Sequence, residues 1–243
     1  METGTIQQLI RYPVKSFGGE CVMSTRVMNY GLYGDRSHVF LDESREGKFL
    51  TITQFKQMAL YKAAFTGAEK DEEFPEVTIV TPSGNRMNWG GEELKKEIEK
   101  GSSTHVAFKK YEPELVPAGA IEEEHILLIT DASLSRLEEI WGKKKLDAMR
   151  FRPNIILSLK NKIPFAEEGW TGKKLQIGPE VELFIKRPCE RCMIINVDPE
   201  DGLLSPSLLK TVVNNRENVF GMYCTVLKKG TIKTGDKTIL KDV

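Results

Sequence analysis

Turn-forming residues interrupt this chain so often that long helices are excluded and short strands are favoured. Gly31-Leu32-Tyr33-Gly34, Pro82-Ser83-Gly84-Asn85, Gly90-Gly91 and Lys228-Lys229-Gly230 each stop a short apolar or alternating run. On that pattern residues 5–12, 21–30, 38–41, 49–53, 125–130, 154–159, 173–177, 181–185, 192–197, 221–227 and 231–240 read as strands, and 77–81 with 86–89 as a hairpin. Three segments have helical spacing instead. Leu94 and Ile98 mark residues 92–100; Leu134, Leu137, Ile140 and Trp141 mark a helix capped by Thr130 or Asp131 and stopped at Gly142; Ser205-Pro206 opens the third. The expectation is a mainly-β protein, a barrel or sandwich with a few short helices. Residues 111–124, with two prolines and an acidic triplet, are the least patterned stretch. They suggest two halves, 1–115 and 116–243, in which the first strand may also pack on the second half.

A chain of 243 residues can bury an adequate core in either arrangement. Lys plus Arg and Asp plus Glu balance at 35 each, so no global field recruits nucleic acid or an anionic membrane. No apolar stretch is long enough to span a bilayer, and the N-terminus lacks a charged-then-apolar leader pattern. The expectation is a cytoplasmic protein whose Cys21, Cys189, Cys192 and Cys224 are reduced thiols.

The densest cluster of reactive side chains is Lys186-Arg187-Pro188-Cys189-Glu190-Arg191-Cys192. A zinc site needs about four ligands, and the chain offers no second paired motif. A thioredoxin-like dithiol needs a helix after the pair, whereas Met193-Ile194-Ile195-Asn196-Val197 reads as strand. A single thiolate beside the Arg191 guanidinium, ligating a soft metal that arrives with its own cofactor, meets neither objection. Basic residues also stand at turn-like positions: Lys15 beside Ser16, Arg36 after Gly34-Asp35, and Arg152 before Pro153-Asn154. Taken singly each is ordinarily a solvated charge or an ion pair. His38, His105 and His125 sit in separate strand-like runs and read as structural. No phosphate loop, dinucleotide fingerprint, nucleophile elbow or His-Glu-x-x-His helix is present.

These segments taken in order resemble the MOSC family in its two-part form, with an N-terminal β-barrel module. Tyr12-Pro13-Val14-Lys15-Ser16 and Gly31-Leu32-Tyr33-Gly34-Asp35-Arg36 are similar to that module. Arg150-Phe151-Arg152-Pro153-Asn154, residues 165–170, Arg191-Cys192, Val197-Asp198-Pro199-Glu200-Asp201-Gly202, Gly221-Met222-Tyr223 and residues 230–236 are similar to the MOSC domain. The resemblance implies a molybdenum–molybdopterin cofactor with Cys192 as metal ligand. It implies cofactor binding by Lys15, Ser16, Arg36, Arg152, Arg191 and Tyr223, and gives Cys189 no role. It implies reduction of N-hydroxylated or N-oxide small molecules with electrons from a separate donor protein. A cofactor carrier or sulfur-transfer module without its own turnover is the alternative. Asp198, just past the ligand, is a candidate catalytic proton shuttle, although a turn carboxylate more often caps backbone amides. Two residue runs depart from the family pattern. Phe17 stands beside the Lys-Ser pair, and Glu122-Glu123-Glu124 would repel a phosphate and is expected to face away from it or to belong to a differently built loop.

Overall fold

The computed structural model describes residues 1–121 and 123–242. Seven strands close into a barrel: Glu2–Arg11, Lys237–Lys241, Lys174–Ile177, Val181–Glu190, Val219–Lys228, Ile126–Thr130 and Ile155–Leu159. Each pairs with the next in that order, and the last returns to the first, with Leu9 opposite Ile155. All the pairings are antiparallel except that of Ile126–Thr130 with Ile155–Leu159. The first strand of the chain is therefore a stave of a barrel whose other six staves lie beyond residue 125. Inward side chains of those strands, among them Ile6, Leu128, Leu157, Leu183 and Met222, form one fully buried core.

A second core, rich in aromatic side chains, lies under the first half of the chain. Phe17, Tyr33, Phe40, Phe65 and Phe74 pack there beneath the pair His38–Asp42 with Val106–Lys110. The sheet Lys62–Thr66, Glu76–Val80, Arg86–Asn88 and the helix Glu92–Ser102 complete the same layer. The helix buries Leu94 and Ile98, as their spacing requires. The two halves are stitched a second time where Ser24–Met28 pairs with Gly230–Lys233. The helices Asp131–Trp141 and Pro206–Arg216 close a third core against the barrel, around Leu137, Trp141, Leu208 and Phe220. Thr130 caps the first of them by accepting the Ser133 N–H at 3.2 Å, and Gly142 ends it in the left-handed region at φ 64°.

Several expectations change. The run 21–30 is two strands with different partners, Glu20–Val22 on the barrel stave and Ser24–Met28 on Gly230–Lys233. Likewise 231–240 divides between two sheets. Residues 49–53 contribute one bridge, Leu41 to Phe49, and otherwise turn. Lys62–Thr66 and Val106–Lys110 are strands that patterning missed. Most consequential, 192–197 is not a strand: Met193–Asn196 is a single 3-10 turn with Cys192 at its N-terminal boundary. That turn is too short to present an N-terminal site, but it ends the barrel strand and leaves the Cys192 thiol exposed.

Candidate functional site

Arg36 and Arg152 are brought together by a set of buried bonds that starts at Asp35. Asp35 is fully buried and accepts the Tyr12 N–H at 2.8 Å and the Asn154 Nδ2–H at 3.0 Å, while pairing with Arg36. Asn154 in turn receives the Leu127 N–H at 3.1 Å and donates to the Ile10 carbonyl at 3.3 Å. One carboxylate and one amide thus tie the end of the first stave, the Gly34-Asp35-Arg36 turn and the Arg152-Pro153-Asn154 turn into a fixed frame. The guanidiniums of Arg36 and Arg152 both lie over the Tyr12 ring, at 5.0 and 4.2 Å. Arg152 also donates to the Phe17 carbonyl at 2.9 Å, so Phe17 meets the site through its backbone while its ring stacks on Tyr61 in the core.

Backbone strain gathers at the same place. Ser16, Arg36 and Arg152 all have left-handed backbones, at φ 72°, 53° and 55°. Each such non-glycine residue costs free energy that the surrounding bonds must offset, and such residues cluster where side chains have to be aimed.

One small pocket, of about 80 Å³, is walled by Arg36, Arg152, Arg191, Cys192 and Tyr223. These come from four stretches far apart in sequence. Arg191 donates from its backbone to the Asn218 carbonyl and through Nη2 to the Phe151 carbonyl, both at 2.8 Å. Its Nε is buried and has no acceptor among the described residues. Burial holds the Tyr223 hydroxyl well above its ordinary range, with the Cys189 sulfur beside it adding to the effect, so Tyr223 stays protonated and able to donate. A wider groove of about 240 Å³ adjoins the pocket, sharing Arg152 and Ile194 with it and running between Gly18, Lys62 and Met149.

The structure does not bring every expected residue to this pocket. Lys15 and Ser16 are buried but are not on its wall. Lys15 Nζ donates to the Ala120 carbonyl at 2.8 Å, and the Ser16 hydroxyl accepts the Ile52 N–H at 3.1 Å. Asp198 faces elsewhere. Its carboxylate is buried and held by Arg150 Nη2 and Lys144 Nζ, each at 2.5 Å, and by the Glu200 N–H at 3.0 Å. Burial pushes this carboxyl up, but the bonds from Lys144 and Glu200 and the Arg150 charge outweigh it and leave it below the usual carboxylate range. A carboxylate so held is a clamp rather than a proton carrier. Arg150 completes the clamp by donating to the carbonyls of Ile195 and Asn196, on the turn that follows Cys192. Cys189, to which the resemblance gives no role, is buried with its sulfur 2.8 Å from Arg191 Nη1.

Of the acidic triplet, Glu122 lies outside the described residues. Glu123 is exposed and pairs with Arg187. Contrary to expectation, Glu124 is nearly buried on the pocket wall, its charge met by Lys186 at 2.8 Å and Arg187 at 3.6 Å. The three histidines have structural surroundings. Burial and the Lys110 charge lower His38 to about 3, the His125 ring nitrogen accepts the Val226 N–H, and His105 pairs with Glu99. Asp35, Asn154 and Tyr12 are functional-frame residues that sequence reading missed as such. Their signal was present, since each lies within three positions of a basic residue singled out in the same motif.

Among the described residues no three His, Cys, Asp or Glu side chains are grouped to hold a metal ion. A metal at Cys192 would therefore need most of its ligands from a partner molecule. An exposed thiol, three converging guanidiniums and the unmatched Arg191 N–H fit a multiply charged anionic cofactor of that kind.

The description of the MOSC domain matches residues 103–238, and that of the MOSC N-terminal beta barrel domain matches residues 3–114. Mitochondrial amidoxime-reducing component 1 of Homo sapiens is 28% identical over 98% of this chain and 83% of its own length. Molybdenum cofactor sulfurase of Oryza sativa subsp. japonica is 39% identical over 40% of this chain and 12% of its own. The YuaD protein of Bacillus subtilis, a solved structure, superposes over the whole of both chains with a TM-score of 0.53 at 14% identity, a likeness in fold alone.

Proposed function

Because this chain belongs to the MOSC family, we propose that it holds a molybdenum–molybdopterin cofactor at the Cys192 pocket and reduces N-hydroxylated or N-oxide small molecules with it. The observation that carries this reading is the convergence of Cys192, Arg36, Arg152 and Arg191 on one pocket. The name of the human relative, an amidoxime-reducing component, supports the substrate class. When bound, the cofactor supplies a two-electron centre able to cleave an N–O bond with release of water.

The chain's own residues do the rest. Cys192 offers its exposed sulfur on the pocket wall as the metal ligand. Arg36, Arg152 and Arg191 bind the anionic part, their geometry fixed by Asp35, Tyr12 and the Phe151 carbonyl. The protonated Tyr223 donates a hydrogen bond at the wall. Lys15 and Ser16, which are not on the pocket wall, support the Ala120 and Ile52 segments. The name of the human relative, an amidoxime-reducing component, supports electron supply by a separate donor protein.

The test is elemental analysis of protein made in a host that synthesises molybdopterin, followed by reduction of benzamidoxime with an artificial electron donor. Stoichiometric molybdenum with turnover, both lost in Cys192→Ser and kept in Cys189→Ser, is expected. Protein without molybdenum overturns the reading. The exposure of the Cys192 thiol and the likeness to the rice sulfurase favour a second reading, a carrier or sulfur-transfer module. Molybdenum bound without any turnover on N-hydroxylated substrates would select it.

A further inference from the structure

Cys189 lies at the end of the strand Val181–Glu190, at the bulge between Pro188 and Glu190 in its pairing with Val219–Lys228. A buried cysteine is ordinarily a small hydrophobe whose neighbours are apolar. Here the sulfur is 1% exposed yet faces two polar groups, and both belong to the Cys192 pocket. Arg191 Nη1 stands 2.8 Å from the sulfur, and the Tyr223 hydroxyl is near enough to interact with it electrostatically. Arg191 is held at three further points: its N–H on the Asn218 carbonyl, Nη2 on the Phe151 carbonyl, and the guanidinium 5.4 Å from the centre of the Phe151 ring. A planar guanidinium fixed through both Nη atoms has one orientation. Its buried Nε–H is then left without an acceptor among the described residues. Bulges re-aim side chains at strand ends, and this one turns the thiol inward while Cys192, three residues on, stays outside.

We propose that Cys189 is a positioning residue: its sulfur accepts from Arg191 and fixes the guanidinium in the attitude that meets the anionic group bound beside Cys192. The inference rests on the cofactor reading above, and adds a residue to which the family resemblance gives no role.

A double-mutant cycle tests it. Wild type, Cys189→Ala, Cys189→Ser, Arg191→Ala and Cys189→Ala/Arg191→Ala are made in a molybdopterin-synthesising host. Molybdenum per chain and the rate of pterin release on dilution, read by the fluorescence of the released pterin, are measured with the thermal midpoint of each protein. Cys189→Ala should release the pterin about tenfold faster, the scale of one hydrogen bond to a charged group. Cys189→Ser, which keeps an acceptor, should restore most of the retention. Because Cys189 acts through Arg191, the double variant should lose the pterin no faster than Arg191→Ala. Release from Cys189→Ala at the wild-type rate overturns the inference, as do additive losses in the double variant, or losses that track the thermal midpoint in every protein. Each of these leaves the cofactor reading standing, because wild type is then loaded. A wild type that holds no pterin overturns both.

Discussion

Replacing Asp198 by Asn keeps the outline of the side chain and removes its charge where two cations oppose it. Arg150 has a side chain only 1% exposed and would be left with the neutral carbonyls of Ile195 and Asn196. Breaking a buried ion pair from one side costs about 3–5 kcal/mol. The retained carbonyl bonds place this case near the lower end, at about 3 kcal/mol. Lys144 is half exposed, turns to solvent, and adds at most about 1 kcal/mol. For a chain of this size about 3 kcal/mol lowers the thermal midpoint by roughly 6–12 °C. Urea denaturation followed by tryptophan fluorescence is the assay, because Trp141 lies 5.7 Å from the Arg150 guanidinium and reports on the clamp directly. The acid limb gives a second reading. Asp198 titrates below its ordinary 3.8 in the folded protein. Its stabilisation is therefore present above that value and lost as the pH falls below it toward the folded value. The Asn variant should show a correspondingly smaller loss of stability in acid. Asp198→Asn as stable as wild type within about 0.5 kcal/mol would refute the clamp. If stability were kept while benzamidoxime turnover vanished, Asp198 would be the proton carrier that its place after Cys192 first suggested.

Three further outcomes are expected. Arg152→Ala should weaken pterin retention by about 1.5–3 kcal/mol, the worth of a hydrogen bond to a charged group, checked by molybdenum per chain after dialysis. Burial raises the Glu167 carboxyl above its ordinary 4.5 despite bonds from Ser133 at 2.9 Å and Thr130 at 3.2 Å. The stability it supplies is present below that ordinary value and lost as the pH rises through the raised one, so Glu167→Gln should gain more stability at about pH 7 than at about pH 4 in urea titrations. Gly221 has φ +82°, and a Cβ there would meet the Leu128 carbonyl at 2.9 Å and Ile129 Cγ2 at 2.8 Å. Gly221→Ala should cost about 1–3 kcal/mol by thermal unfolding, and equal stability would mean that the strand carrying Tyr223 can shift.

How far the sequence was legible depended on whether a signal was local. The runs at Ile126–Thr130, Ile155–Leu159 and Val181–Glu190 carry enough β-branched residues between turn signals to be read as barrel strands. Met193-Ile194-Ile195-Asn196 has the same composition, and a short apolar run has no period by which to tell strand from helical turn. What decides it is Arg150 holding the Ile195 and Asn196 carbonyls, an interaction from more than forty positions away. The Tyr12, Arg36 and Arg152 motifs were visible singly, but their meeting depends on Asp35 bonding Asn154 across 119 positions. Cys189 and Cys192 look alike in sequence. Burial separates them, by way of a bulge that no local pattern announces.

The closing of the barrel has a consequence for how the protein comes into being. The stave Glu2–Arg11 is synthesised well before its two barrel neighbours, Ile155–Leu159 and Lys237–Lys241. Until then its backbone donors and acceptors on both sides are an open template for pairing with any other extended chain. Residues 2–241 must all be synthesised before the barrel can close, which slows folding and prolongs the period of risk. The same stave runs directly into Tyr12 and the turn that aims Arg36. Completing the barrel and assembling the anion pocket are thus tied to one another.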